Sequence, residues 1–514
     1  MRDLLAELRI RLEHVADLQD TAALLGWDQA TYMPAGGSQT RGRQLATIAR
    51  LAHEALVDPA IGSLLDRLEP ELESIDPDSD EARLISVTRF DYDRATQVPA
   101  HFLAEFEKHA SHGYQLWVQA RPADDFALVA DHLERTVELS RRYSSFFSGY
   151  QHVADALIDE SDRGMTVARL RPLFRELRAR LLPLVDATTA GGGQAPGNAG
   201  SAREVADGSP LRACYPEAAQ IAFGEEVIRA FGFDFRRGRQ DRSGHPFATA
   251  LGDGDVRITT RVREADLSEA LFSSLHEAGH GMYEQGIDPG LHGTPLAGGT
   301  SAGVHESQSR LWENVVGRSY AFWRHYFPLL RERFPDQLTE VSLEAFYAAV
   351  NLVSRSLIRT DADELTYNLH VMIRFELECE LLEGTLAVAD LADAWRERYR
   401  SDLGVDSGGD SDGVLQDMHW FSGLVGGAFQ GYTIGNILSA QFYAAASKAQ
   451  PDLPEQMASG SFGGLHAWLK ENIWRHGRKY TPDELLLRAT GSEMSIEPYL
   501  AYLSDKYRRL YPAG

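Results

Sequence analysis

Most of this chain repeats apolar residues at three- and four-residue steps, and that period restricts it to a largely helical fold. The segments 3–25, 79–95, 125–149, 166–185, 307–331, 341–358, 361–385 and 388–401 are rich in Leu, Ala, Glu and Arg, and each predicts a helix. No fixed-period repeat links them, so a solenoid is not supported. One stretch breaks the pattern. Val256, Ile258, Thr260 and Val262 alternate with Arg257, Thr259 and Arg261, and Gly252–Asp255 supplies a turn, which predicts a hairpin over 247–262. The expected architecture is mainly α with one small antiparallel sheet. Glycine-rich loops fall at Leu296–Gly303 and 404–413, and Ala190–Ala202 (AGGGQAPGNAGSA) reads as a flexible linker or loop tip.

At 514 residues the chain exceeds the usual single domain, which suggests one large lobed unit or two to three domains. Its 43% hydrophobic and 25% charged residues fit a soluble globular protein with a sizeable core. A formal net charge of −24 repels phosphate backbones and anionic lipids, so neither nucleic acid nor a membrane surface is an expected partner. Cys214 and Cys379 are too few for a disulfide framework. The first twenty residues lack the apolar core of a signal peptide, and no apolar run is long enough to span a bilayer. A reducing, cytoplasmic setting is the expectation.

The sequence just after the hairpin carries the chemistry. Residues 276–280 read His-Glu-Ala-Gly-His. In a helix, positions four apart share one face, so His276 and His280 can offer two imidazole nitrogens to one metal ion. Glu277 then projects beside the open coordination position, suited to take a proton from water and pass it to a leaving amine. Asp266 is placed to cap this helix, with Glu269 three residues on as in a capping box, and Gly286 offers a stop. Leu267, Leu271, Leu275, Ala278 and Met282 form its buried stripe. Gly279 costs about 1 kcal/mol inside a helix relative to Ala, which close approach of another helix or of substrate would rationalise. A catalytic zinc needs a third protein ligand. Glu306, 25 residues after His280 and across the glycine-rich loop, is the first candidate, with His305 as the alternative. Gln308 and Asp363 could orient the ligands from behind.

These motifs have further company. HEAGH followed by His305-Glu306-Ser307-Gln308 resembles the carboxypeptidase Taq family of metallocarboxypeptidases. His245-Pro246-Phe247 matches that family's HPF motif, and Asp255–Thr259 matches DxRxT. Ile358–Asp363 matches IRxxAD, and Gly413–Trp420 matches GxxQDxHW. The run Trp27–Pro34 resembles the family's beginning, so the likeness spans nearly the whole chain. It implies a mostly helical, two-lobed fold with a deep central groove and the small sheet beside the HExxH helix. It implies one catalytic unit over 1–514, with 1–190 a mostly helical N-terminal part and 203–514 carrying the metal site. It also implies a homodimer that removes single residues from peptide C-termini with broad specificity. The ligands carried over are His276, His280 and Glu306, with Glu277 as general base and acid. Zinc is the implied metal, one per chain, and cobalt supports activity in some members.

A carboxypeptidase needs a cation for the substrate carboxylate, and the planar fork of Arg suits it. Arg359 is the first choice and Arg257 the second. His419 and Tyr432 are candidates to steady a developing oxyanion, and His245 to line the pocket. The edge beside Asp255–Thr259 is a candidate to hold substrate as an added strand, if it faces the metal helix. The competing reading is a zinc endopeptidase or oligopeptidase of related helical fold. It would share His276, His280, Glu277 and Glu306 but need no carboxylate-binding Arg.

Overall fold

A computed structural model of the chain describes residues 1–189 and 209–511. The glycine-rich stretch 190–202 lies outside the described residues. The chain divides into two compact units, and the division does not follow chain order. The first combines Met1–Thr96, Ala206–Val350 and Ser439–Met494. The second combines Gln97–Val205, Asn351–Leu438 and Ser495–Gly514. No helix among the described residues is long and apolar enough to cross a membrane.

In the first unit, helix α1 (Arg2–Thr31) buries Leu5, Leu8, Leu12 and Val15 along one stripe. Those leucines share a core with Ile61, Leu64, Leu65 and Leu68 of the helix Pro59–Leu68, whose start is capped by Asp58 accepting from the Ala60 N–H. Leu84, Ile85, Ile287, Leu291 and Leu296 close the same cluster. Each fully buried leucine contributes about 1.5–3 kcal/mol of apolar transfer.

The sheet has three strands, β1 (Gly238–Arg242), β2 (Ala248–Ala250) and β3 (Val256–Thr260), in the order β1-β3-β2. The expected hairpin is β2–β3, antiparallel, with its turn made by Gly252 and Gly254 at φ +89° and +83°. The sheet as a whole is mixed, not antiparallel, because β1 pairs with β3 in parallel. Residues 238–242 lack the apolar alternation that marks a strand, and only Asp241 among them is buried. β3 is therefore the central strand. The edge beside Asp255–Thr259 is already taken on both sides, and a peptide cannot be added there.

Helix α2 (Leu267–Gly286) lies against this sheet. Val256 and Ile258 are buried beneath it, and the Thr260 hydroxyl donates to the Ala270 carbonyl at 3.1 Å. The helix starts where Asp266 Oδ1 accepts from the Ser268 N–H at 3.0 Å and ends at Gly286. Its capping box does not form, since Glu269 turns instead to Arg261 at 2.5 Å. Leu267, Leu271, Leu275, Ala278 and Met282 are all buried.

After the glycine-rich loop, Ser301 caps helix α3 (Ala302–Arg310), its hydroxyl accepting from the Val304 N–H. The single helix expected over 307–331 is broken. A π-helical turn spans Leu311–Val316, with the Gly317 N–H reaching the Trp312 carbonyl at 2.9 Å, and Ser319 then caps a new helix over Tyr320–Arg333. The helix expected over 341–358 stops at Val350. Beyond it the backbone finds tertiary partners, the Val353 N–H on the Tyr511 hydroxyl and the Ser354 N–H on Asp363.

The second unit centres on helix α4 (Tyr367–Glu383), which is buried on nearly every side. Its buried polar side chains are partnered. Asn368 donates to the Tyr499 hydroxyl at 2.7 Å, His370 meets the Tyr399 hydroxyl at 3.0 Å, and Glu378 accepts from the Trp420 indole at 2.9 Å.

Candidate metal centre

Helices α2 and α3 pack closely because Gly279 has no side chain. A Cβ there would lie 2.6 Å from the Gln308 carbonyl oxygen and from Ser309 Cα. This contact brings Glu306 onto the His276–His280 face of α2. One ligand atom from each of the three residues lies within 4.8 Å of the others, and no other such group occurs among the described residues. Glu306 Oε2 is 3.6 Å from His276 Nε2 and 3.5 Å from His280 Nε2. Ligands about 2.0–2.1 Å from a tetrahedral ion stand roughly 3.3 Å apart, so the donor set fits a metal ion.

Each donor is held from behind. Arg310 donates to Glu306 Oε1 at 2.7 Å and leaves Oε2 facing the histidines. It also donates to Glu313 Oε2 at 3.2 Å, and that same oxygen accepts from His276 Nδ1 at 2.8 Å. His280 Nδ1 lies 2.6 Å from His305 Nδ1, whose other nitrogen is 2.7 Å from Glu284 Oε1. His305 thus stands behind His280 and not among the three converging donors.

Burial opposes ionisation of Glu306, yet Arg310 and His276 outweigh it and hold the carboxyl far below its usual range. The same contest brings Glu313 down to about 2, with Arg310 and the His276 hydrogen bond prevailing over burial. Burial, reinforced by His305, pushes His280 down to about 3, which leaves it neutral. For His276 burial is outweighed by Glu306 and Glu313, and its pKa rises. Glu277 behaves differently from the other acids. Burial drives it up to about 7, against the pull of His276, and its carboxylate has no hydrogen-bond partner among the described residues.

Neither side chain expected to orient the ligands does so. Gln308 accepts from the Trp474 indole at 2.8 Å and donates to Ser307. Asp363 caps the entry to α4, accepting from the Leu365 and Thr366 N–H groups. Glu313, Arg310 and Glu284 take those places. The i, i+4 step from Glu306 to Arg310 could have been read from the sequence. Glu313 could not, because it lies in the π turn.

The other candidate residues fall into separate settings. Arg257, on β3, grips Asp255 through two bonds of 2.9 and 2.7 Å and lies 4.2 Å from the Trp27 ring centre. His245 is exposed on the loop between β1 and β2. In the second unit Arg359, Asp417, His419 and Tyr432 form one group. Arg359 is buried and donates to Asp417 Oδ1 from Nε and Nη2 at 3.1 and 2.8 Å, and to the Tyr367 hydroxyl at 2.9 Å. Arg374 binds the other Asp417 oxygen at 2.5 Å. His419 Nε2 is 3.4 Å from the Tyr432 hydroxyl, and burial takes His419 down to about 4. The sequence reading missed Asp417 and Arg374, although Asp417 lies in the motif already noted at Gly413–Trp420.

Known proteins resemble this chain over nearly its whole length. The family profile of the carboxypeptidase Taq (M32) metallopeptidases matches residues 7–507. Thermostable carboxypeptidase 1 of Thermus thermophilus is 41% identical over 505 residues, which cover 96% of each chain. Carboxypeptidase 1 of Bacillus subtilis is 33% identical over 97% of each. The crystal structure of an M32 carboxypeptidase from Deinococcus radiodurans R1 superimposes with a TM-score of 0.95 at 51% identity, covering 99% of this chain and 100% of that one. The chain belongs to the carboxypeptidase Taq (M32) family and, as a member of it, is a metallocarboxypeptidase.

Proposed function

We propose that the protein releases single amino acids from peptide C-termini with broad specificity, using one zinc ion per chain held by His276, His280 and Glu306. The observation that carries this reading is the convergence of those three side chains around Glu306 Oε2, with the unpaired carboxylate of Glu277 on the next residue of the same helix. Two imidazoles and a carboxylate suit zinc and also accept cobalt. The ion, when bound, supplies Lewis acidity toward water and the scissile carbonyl.

The protein's own groups divide the remaining work. Glu277 takes a proton from the attacking water and returns it to the departing amine, a task suited to a carboxyl raised toward neutrality. Arg359 receives the substrate carboxylate, with Arg257 as the second choice. Both guanidinium groups are already oriented by aspartates and keep N–H donors to spare, since Arg carries five. Tyr432 and neutral His419 steady the developing oxyanion, and His245 serves substrate access. Two free cysteines suit a reducing cytoplasm. A homodimer is carried over from the family likeness, and light scattering after gel filtration reads it.

One experiment tests the central claim. A peptide with a free C-terminus and its C-terminal amide are incubated with the protein, and products are followed by mass spectrometry. Parallel samples use chelator-treated protein and Glu277→Gln. Stepwise loss of single residues from the free peptide alone, abolished in both controls, is expected. Equal cleavage of the amide at internal bonds would instead establish an endopeptidase.

A further inference from the structure

Both ring nitrogens of His305 are engaged, Nδ1 by His280 and Nε2 by Glu284. The far end of the chain is Glu284, whose carboxylate lines a cavity of about 200 Å³ together with Asp20, Asp91, His292 and Arg478. A carboxylate oxygen accepts, so the 2.7 Å contact is a hydrogen bond when His305 Nε2 carries the proton. An imidazole whose one proton is on Nε2 keeps a lone pair on Nδ1. In that tautomer His305 Nδ1 accepts across the 2.6 Å contact from His280 Nδ1. The lone pair of His280 is left on Nε2, the nitrogen that faces Glu306 Oε2.

We propose that His305 and Glu284 form a positioning relay that holds His280 in the tautomer and ring orientation a metal ion requires. The proposal rests on His280 being a metal ligand. The two ligand histidines then have unlike supports, a carboxylate directly on His276 and an imidazole followed by a carboxylate on His280. The relay also explains the glycine-rich loop. A Cβ at Gly299 would fall 2.4 Å from His305 Cδ2, so only glycine leaves room for the ring. Tyr283 packs beside His305 with ring centres 5.3 Å apart, and its own hydroxyl is pinned by the Thr300 N–H at 3.1 Å. The His280 and His305 rings meet edge to edge, with centres 4.6 Å apart and planes 28° apart.

The test compares wild type, His305→Leu and His305→Gln for zinc affinity, by competition with a chromogenic chelator, and for the visible spectrum of the cobalt-loaded protein. Gln can accept through its amide oxygen and donate through its amide nitrogen, so it preserves the polarity of the relay, whereas Leu does neither. Loss of such an orienting partner costs about 10–100-fold in metal affinity. His305→Leu is expected to show that loss and an altered cobalt spectrum. His305→Gln is expected to stay close to wild type in both. Wild-type affinity in His305→Leu overturns the relay, and so does an equal loss in both variants, which would mark a packing role alone. A wild-type chain that takes up no zinc overturns the metal-site reading and the relay with it.

Discussion

Replacing Gly279 with Ala isolates the contact that assembles the candidate metal centre. The added Cβ would sit 2.6 Å from the Gln308 carbonyl oxygen and from Ser309 Cα, where ordinary contact begins at 3.4 Å. Both obstacles are backbone, so neither can rotate away, and α2 and α3 must part by roughly 0.8 Å. Forcing a methyl group into such a packed contact costs about 1–3 kcal/mol. Alanine returns about 1 kcal/mol of helix propensity. The net expectation is a loss of about 0–2 kcal/mol in stability. Metal binding should suffer more, because the separation draws Glu306 Oε2 away from nitrogens now 3.5 and 3.6 Å distant. Zinc affinity by chelator competition and thermal midpoint by calorimetry, on metal-free and loaded protein, read the two effects separately. The reasoning fails if Gly279→Ala binds zinc as wild type does and melts about as much higher as alanine's propensity alone would give.

Four other outcomes are expected. Glu277→Gln should lower peptide hydrolysis by about 10²–10⁴-fold while leaving zinc stoichiometry unchanged, as measured by elemental analysis. In the metal-free protein, burial raises the Glu277 pKa from 4.5 to about 7, so its proton favours folding. That contribution is full below pH 4.5 and lost as pH rises through 7, and melting curves of Glu277→Gln should lack this decline. Asp417→Asn leaves the buried Arg359 and Arg374 without their shared anion and should cost about 3–5 kcal/mol, visible as a lower thermal midpoint. Burial pushes the Asp417 carboxyl up, but Arg374 and Arg359 outweigh it and hold the pKa well below 3.8. Its stabilisation is therefore present above pH 4 and lost on further acidification, and acid melts of Asp417→Asn should flatten there.

The parts of this protein that were legible in the sequence are those set by local periodicity. The buried stripe of α2, its Asp266 cap and the return of Glu306 at the start of α3 all follow from spacing along one or two helices. Gly279 was legible as an anomaly that close approach of another helix or of substrate would explain, and the neighbour proved to be α3. Non-local packing hid the rest. β1 has no apolar alternation, and it is a strand only because β3 offers its second edge. The π turn at Leu311–Val316 shifts the register that a 3.6-residue period would carry through, and Glu313 reaches His276 from within it. Asp417 lay inside a recognised motif, yet its role depends on two arginines 43 and 58 residues away. Spacing could not reveal that Arg359 arrives already paired.

The candidate metal centre separates two identical side chains by their surroundings alone. Glu277 and Glu306 are equally withdrawn from solvent, at 6% and 7% exposure, so burial raises the pKa of both. Arg310 lies 2.7 Å from Glu306 and reverses that effect, leaving a permanent anion able to serve as a ligand. No guanidinium is hydrogen-bonded to Glu277 among the described residues, and Glu306 and Glu313 press its carboxyl further toward the protonated form, against the pull of His276. A divalent ion held by His276, His280 and Glu306 would draw the Glu277 value down again, into the range where a carboxylate can accept a proton and give it back. If this division is right, Arg310→Met should remove the distinction. Glu306 would then hold its proton to higher pH, and zinc affinity should fall more steeply below neutrality than in wild type. An unchanged pH dependence of zinc binding would mean that the histidines alone keep Glu306 ionised, and that Arg310 serves only to orient it.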